Sequence, residues 1–400
     1  MKVLIAGVDG YLGWPLAQYL AARGHIVAGI DKFLRRQWVE EIGGHSALPI
    51  ASIEDRLQAF QERYNQNLIF RTGDLQDYNF LKSFLSDFHP DAIVHLGEMP
   101  SAPYSMMDQE HAVYTQQNNV VGSLNLLWAI KETCPTAHLV KLGTMGEYGT
   151  PNVDIPEGFF EIEYRGRKDN LPFPRQANSF YHLSKVHDSN NTMFACRVWG
   201  LSATDIMQGV VFGTQIDEME NVPGFATRLD FDQCFGTAIN RFCCQTVIGH
   251  PLTLFGGGSQ TRGFLPLRDS MQCITLCIEN PAGVGEYRVF NQFEETHNLE
   301  SLAKIVQEVA KGEGLAVDIR HYDNPRKEMD KHYYNPDRRH LIELGYKPSG
   351  NLRNEIKLMI NDLLQNRDRI FEKRSLLVPD IRWDGIHRRS EIVHETIPQI

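Results

Sequence analysis

Apolar residues gather in short runs along the chain, separated by stretches in which apolar and polar positions alternate with a helical period. The first run lies within "VLIAGVDGYLGWPLAQYLAARGHIVAGID". It breaks into a loop with glycines at Gly7, Gly10 and Gly13, an amphipathic stretch follows to about Arg23, and a second apolar run closes on Asp31. The alternation continues. "NLIFRTGDL" predicts a strand ending at Asp74 and Leu75, "YNFLKSFLSDF" a helix, and "DAIVHLGE" a strand ending at Gly97. "NNVVGSLNLLWAIKETC" predicts a helix and "HLVKLGTMGEYG" a strand ending at Thr144. Strands separated by helices imply right-handed crossovers and a parallel sheet covered on both faces, a Rossmann-like, doubly wound α/β fold.

Further along, "ATDIMQGVVFG" predicts a strand followed by glycine, and residues 351–374 carry helical periodicity. No repeat or low-complexity linker interrupts the chain, so a smaller substrate-binding domain is expected to be interwoven rather than appended. The division expected is 1–205 for nucleotide binding, with a returning segment around 234–262, and 206–233 plus 263–400 for substrate. The polar tail after Pro379 shows no evident chemistry.

In such sheets ligands bind outside the carboxyl ends of the strands, where the glycine loop, Asp74, Gly97 and Thr144 all fall. Gly7 would permit a tight turn, Gly10 a close approach of backbone to pyrophosphate, and Gly13 the packing of helix on sheet. The helix N-terminus would favour the anion through free N–H groups and its dipole. Asp31 can accept hydrogen bonds from both ribose hydroxyls, which favours NAD over NADP. Lys32, Arg35 and Arg36 follow at once and could neutralise an extra phosphate.

Composition narrows the partners. The chain has 400 residues, 42% of them hydrophobic, with a formal net charge of −10 and no block of Lys or Arg, which argues against nucleic acid and anionic membrane surfaces. No stretch is apolar enough for a membrane span, and "MKVLIAG" is too short for a signal peptide's apolar region. Seven cysteines without a C-x-x-C spacing suggest core thiols in a reducing, cytoplasmic setting and no metal centre.

"SFYHLSKVHD" then places Tyr181 and Lys185 four apart, neighbours on one helical face. A cation close to the phenol would favour the phenolate and lower its pKa. The alternative is a surface tyrosine leaning on a lysine stem.

The Gly7-x-x-Gly10-x-x-Gly13 loop, Thr144 at a strand end, Tyr181-x-x-x-Lys185, "NNVVGSLNLL" and "GGGSQTRGF" together resemble the extended short-chain dehydrogenase/reductase superfamily of nucleotide-sugar enzymes. Within it, "SAPYSM", "LVKLGTMGEYGTPN", "YHLSKVHDS", "FGTAINRF" and "FNQF" resemble the UDP-sulfoquinovose synthase family, from about Val3 to about Tyr346. That resemblance implies UDP-glucose and sulfite as substrates, tightly bound NAD, a place in sulfolipid biosynthesis, and a homodimer built from two helices per subunit, around Leu124 to Ile130 and around Tyr181.

It also implies roles. Thr144 would hydrogen-bond the sugar 4-hydroxyl, Tyr181 would take its proton, and carbon 4 would pass hydride to the nicotinamide while Lys185 holds the ribose. Water would then leave across carbons 5 and 6, sulfite would add, and the hydride would return. Tyr11, Leu12, Leu75 and Asn118 join the expected cofactor contacts, and Gln208, Arg262 and Arg326 the substrate contacts. The 4,6-dehydratases carry an Asp-Glu pair directly after the threonine, where this chain has Met145 and Gly146. Glu147 and His182 are the titratable groups left nearby. The alternatives are a carboxylate accepting backbone bonds in a turn for Glu147, and for His182 a helix residue ~100° from Tyr181 that packs elsewhere. Met99-Pro100 and Pro266 depart from the family pattern of Gln-Arg and aspartate, so a nucleotide-sugar 4-epimerase stays open as the alternative.

Overall fold

The computed structural model describes residues 1–220, 222, 224–326, 333–378 and 381–383, so most of the tail after Pro379 lies outside the described residues. In chain order the strands are β1 (Lys2–Ala6), β2 (Ile26–Asp31), β3 (Ile69–Thr72), β4 (Ala92–His95), β5 (His138–Thr144), β6 (Phe159–Tyr164) and β7 (Arg167–Pro172). They continue as β8 (Ser202–Gln208), β9 (Val210–Phe212), β10 (Leu252–Phe255), β11 (Thr261–Pro266), β12 (Tyr287–Gln292), β13 (Glu295–Asn298) and β14 (Ile319–Tyr322). Seven of them form one sheet in the order β12-β8-β5-β4-β1-β2-β3, every neighbour parallel.

Alternate residues of β1 enter different cores. Val3 and Ile5 pack with Trp14, Leu20 and Ile274, and Leu4 and Ala6 pack with Leu81, Phe84 and Leu126. Burial on both faces is why this strand reads as an unbroken apolar run. The strand order reverses between β1 and β4, which opens a crevice at their carboxyl ends.

Two helices frame that crevice. The long helix Phe180–Trp199 is capped by Ser179, whose side chain accepts from the His182 N–H, and ends on Gly200 at φ +72°. Both caps follow from local chemistry, and the first fixes where Tyr181 and His182 enter the crevice. The second helical run, Gln109–Thr133, is continuous but contains a π turn at Gln117–Val121 that the apolar pattern did not foretell. Such turns concentrate at functional sites.

A second core gathers Ile239, Phe242, Val247, Leu302, Val306, Ile356 and Ile360 beside the two-stranded β10–β14 sheet. It corrects the expected division. The helix Ala238–Val247 and β10 lie inside the 234–262 segment expected to return to the large sheet, yet their apolar faces pack into this second core and β10 pairs with β14. The stretch that does return is 267–292, in which Met271 and Ile274 of the helix Leu267–Glu279 join the core under β1 and β12 pairs with β8.

Candidate active site

A cavity of about 460 Å³ opens beyond the carboxyl ends of β1, β4, β5 and β8, and a recess of about 70 Å³ adjoins it past the glycine loop. At the loop, Gly7 sits at φ +95°, and a Cβ there would lie 2.7 Å from the Leu96 carbonyl carbon. A Cβ on Gly13 would lie 2.2 Å from the Gly7 oxygen. These glycines let β1, β4 and the helix Gly13–Ala22 close on one another, while Gly10, Tyr11 and Leu12 border the cavity. Asp31, Asp74, Leu75, Gly97 and Asn118, all expected as cofactor contacts, are brought together in the lining of the recess. Asn118 lies in the π turn, and its neighbour Asn119 clamps the Met99 backbone at 2.8 and 3.1 Å.

The Asp31 carboxylate accepts from the Asp9 and Phe33 N–H groups at 2.8 and 2.7 Å. Burial, and then the Asp9 charge, push it up to about 6. The three cations that follow are each met by a carboxylate: Lys32 by Asp74, Arg35 by Asp230 and Arg36 by Asp9, all at 2.7 Å. Asp9 also takes the fully buried Arg56 at 2.8 Å. Their expected role in neutralising a phosphate is therefore already filled by partners from the chain itself. Asp9, Asp230 and Arg56 escaped the reading of the sequence because nothing local marks them.

At the centre, Thr144, Tyr181, His182 and Lys185 all border the cavity. The Thr144 hydroxyl oxygen accepts from the Gly146 N–H at 3.1 Å, which leaves its proton to donate. Glu147 does not border the cavity. It is fully buried, contacts Arg175, accepts from Ser189 at 3.0 Å and from the Thr144 N–H at 3.2 Å, and lies 3.8 Å from Lys141. The expected sugar contact of Glu147 is thereby corrected: two cations and a backbone donor hold it beneath the turn. His182 instead faces the cavity, its Nδ1 3.0 Å from the Ser179 hydroxyl, and burial followed by Arg326 and Arg262 holds it down to about 3, a neutral imidazole.

Burial pushes the Tyr181 phenol up, Glu147 adds to this, and Arg35 opposes it. The lysine is engaged elsewhere. Lys185 Nζ donates to the Leu142 carbonyl at 2.6 Å and contacts the Glu98 carboxylate. The same-face geometry expected of Tyr181 and Lys185 is present, but the charge meant to acidify the phenol is met by Glu98.

Toward the second core, Gln208 stands in register with Thr144, and its Nε2 donates to Ser270 and Gln292 at 3.3 and 3.0 Å. Arg262 and Arg326 border the cavity, and the Arg326 guanidinium lies 5.0 Å from the Trp383 ring centre. The helix Ala238–Val247 turns its N-terminus toward the same space. Thr237 Oγ1, Asn240 Oδ1 and Arg241 Nε are buried there without hydrogen-bond partners among the described residues. Their signal lay in "AINRFCC", an Asn-Arg pair inside an apolar helical run. Of the departures from the family pattern, Pro100 borders the cavity, whereas Pro266 is the buried residue before the helix Leu267–Glu279.

The model of the NAD dependent epimerase/dehydratase family matches residues 3–291. The chain belongs to this family. It is similar to the chloroplastic UDP-sulfoquinovose synthase of Spinacia oleracea, 47% identical over 96% of this chain and 80% of that one. The UDP-sulfoquinovose synthase of Sulfolobus acidocaldarius is 45% identical over 96% of this chain and 98% of its own. Among solved structures, the UDP-glucose 4-epimerase of Thermotoga maritima with UDP-glucose has a TM-score of 0.68 at 19% identity, covering 94% of this chain and 100% of its own, a likeness of fold. Family membership makes the chain an NAD-dependent, nucleotide-sugar-modifying enzyme. The glycine cradle, the helix N-terminus behind it and the Asp31 carboxylate fit that cofactor.

Proposed function

We propose that the chain forms a sulfonated UDP-hexose from UDP-glucose and sulfite. The observation that carries this reading is the nearly full-length likeness to two enzymes named UDP-sulfoquinovose synthase. NAD, when bound, supplies the reversible oxidation at carbon 4. The Thr144 hydroxyl donates to the 4-oxygen and Tyr181, as phenolate, takes its proton, while Lys185, which borders the cavity with Glu98, would hold the ribose. Oxidation acidifies the carbon 5 proton, and His182, which borders the cavity, is our candidate to receive it once a bound diphosphate offsets the Arg326 and Arg262 charges that help hold it down. Arg241, Arg262 and Arg326, with Gln208 nearer Thr144, suit the diphosphate and sugar.

The exposed apolar residues Val121, Leu124 and Trp128 on one helix and Phe180, Leu183, Phe194 and Val198 on the other support a homodimer. No helix among the described residues is long and apolar enough to cross a membrane, and the seven buried, free cysteines support a cytoplasmic setting.

Incubation with UDP-glucose and sulfite should give a product heavier by the sulfonate, with deuterium entering carbon 5 in deuterated water. The alternative, less favoured by those relatives, is a 4-epimerase. A 4-epimer formed with or without sulfite, and no deuterium at carbon 5, would overturn the synthase reading.

A further inference from the structure

Lys185 is not a lone cation beside Tyr181. Its ammonium sits between the Leu142 carbonyl and the carboxylate of Glu98, a residue that follows β4 and borders both the cavity and the recess. Glu98 is 5% exposed and Lys185 4%, so the two charges meet with little water between them. The carboxylate is held from behind. Ser123 donates to Glu98 Oε1 at 3.2 Å, and His95 Nε2 stands 2.9 Å from the Ser123 hydroxyl and 3.7 Å from the carboxylate.

We infer that Glu98 is a positioning residue, the counter-ion that fixes Lys185 and sets how much positive charge Tyr181 feels. The inference rests on the reading of Tyr181 as the proton acceptor.

The surroundings favour the pair over any other arrangement. His95 is held down to about 3 by burial and by Lys185 and Lys141, so it is neutral and cannot answer the Glu98 charge. On the helix of Lys185, Asp188 is fully buried, and burial pushes it up to about 6 against Lys141 and Lys185. Asp205 on β8 is engaged by Lys141, Ser189 and Tyr287. Glu98 is the carboxylate in direct contact with the lysine, while Asp188 and then Asp205 act on it from further off against the burial that holds it down to about 8. Besides burial, which raises it most, the Tyr181 phenol feels Glu147 and Asp188, which oppose the phenolate, and Arg35, which favours it. Because Glu98 cancels the ammonium, its removal should unmask Lys185. The phenolate would become easier to form, and the ammonium, stripped of its partner, easier to deprotonate.

Glu98→Gln keeps the shape and removes the charge. In the NAD-loaded protein, both limbs of the pH profile of kcat/KM should move to lower pH, the acid limb by about one pH unit. Glu98→Asp keeps the charge, so its acid limb should stay with the parent even where the rate falls. The Tyr181 titration is read independently from the phenolate absorbance of the parent minus that of Tyr181→Phe, which needs no substrate. A wrong substrate assignment would leave that second signal intact. Stability gives another measure should Glu98→Gln fold poorly. Lys185→Met alone and Glu98→Gln alone should each lower Tm, and the double variant should lose less than the two losses combined. Superimposable profiles for parent and Glu98→Gln, equal shifts in Glu98→Gln and Glu98→Asp, or strictly additive Tm losses would each overturn the inference.

Discussion

Around the recess, our proposed adenosine end of the cavity, Lys32, Arg35 and Arg36 each meet a carboxylate supplied by the chain. At the opposite end, the buried Arg241 directs an Nε without a hydrogen-bond partner among the described residues into the space that Arg262 and Arg326 border. The first end has its charges settled within the fold, so it suits a cofactor recognised by shape and by Asp31. The second keeps donor capacity for a ligand that brings its own anions. A guanidinium held ready in this way loses little freedom when a diphosphate arrives.

Tyr181 stands between the two ends, and its removal should have the largest effect. Tyr181→Phe should lower turnover by about a thousandfold while NAD content and Tm stay near the parent. Loss of bound NAD in this variant would tie the residue to the adenosine end instead. Next in size, Arg241→Ala should raise KM for the nucleotide sugar by roughly ten- to a hundredfold and leave NAD affinity unchanged. An equal loss at both ends, followed by calorimetric titration, would erase the contrast.

The adenosine end can also be made to resemble the other. Asp74→Asn frees Lys32, a partly exposed ammonium, so NADP affinity should improve by about fivefold with little change for NAD. The smallest effect comes from Asp31. Its pKa is raised to about 6, so it is ionised above that value and takes up a proton below it. NAD affinity should therefore fall as pH drops through 6, by roughly threefold between pH 7.5 and 5.5, and Asp31→Asn should flatten this dependence.

Much of this site could be read from short segments. The glycine spacing, Asp31, Thr144 and the Tyr181-Lys185 pair are local patterns, and all of them line the one cavity and its recess. What escaped was pairing across the chain. Arg36 and Arg56 converge on Asp9, and Lys185 reaches Glu98 across 87 residues of separation, contacts that only the folded sheet brings about. Glu147 shows the limit from the other side. A carboxylate three residues past a strand end can face the ligand or the core, and only Arg175, Lys141 and Ser189 decided that it faces inward. The returning segment was misplaced for a similar reason: β10 is claimed by β14 and the second core, and β12 by β8, partners that lie far from either stretch in the chain.

The π turn at Gln117–Val121 adds one residue to the winding of its helix. It works as a phase shift. Upstream, the helix presents Thr115 to the interior. Across the turn, Asn118 and Asn119 stay inside against the recess and the Met99 backbone, while Val121, Leu124 and Trp128 come out on the solvent side. Rewinding the turn into an ordinary helix with all its residues kept would rotate everything downstream by ~100°. Either the two asparagines would leave the recess or the apolar stripe would turn into the core, so cofactor contact and the outward face cannot be altered independently.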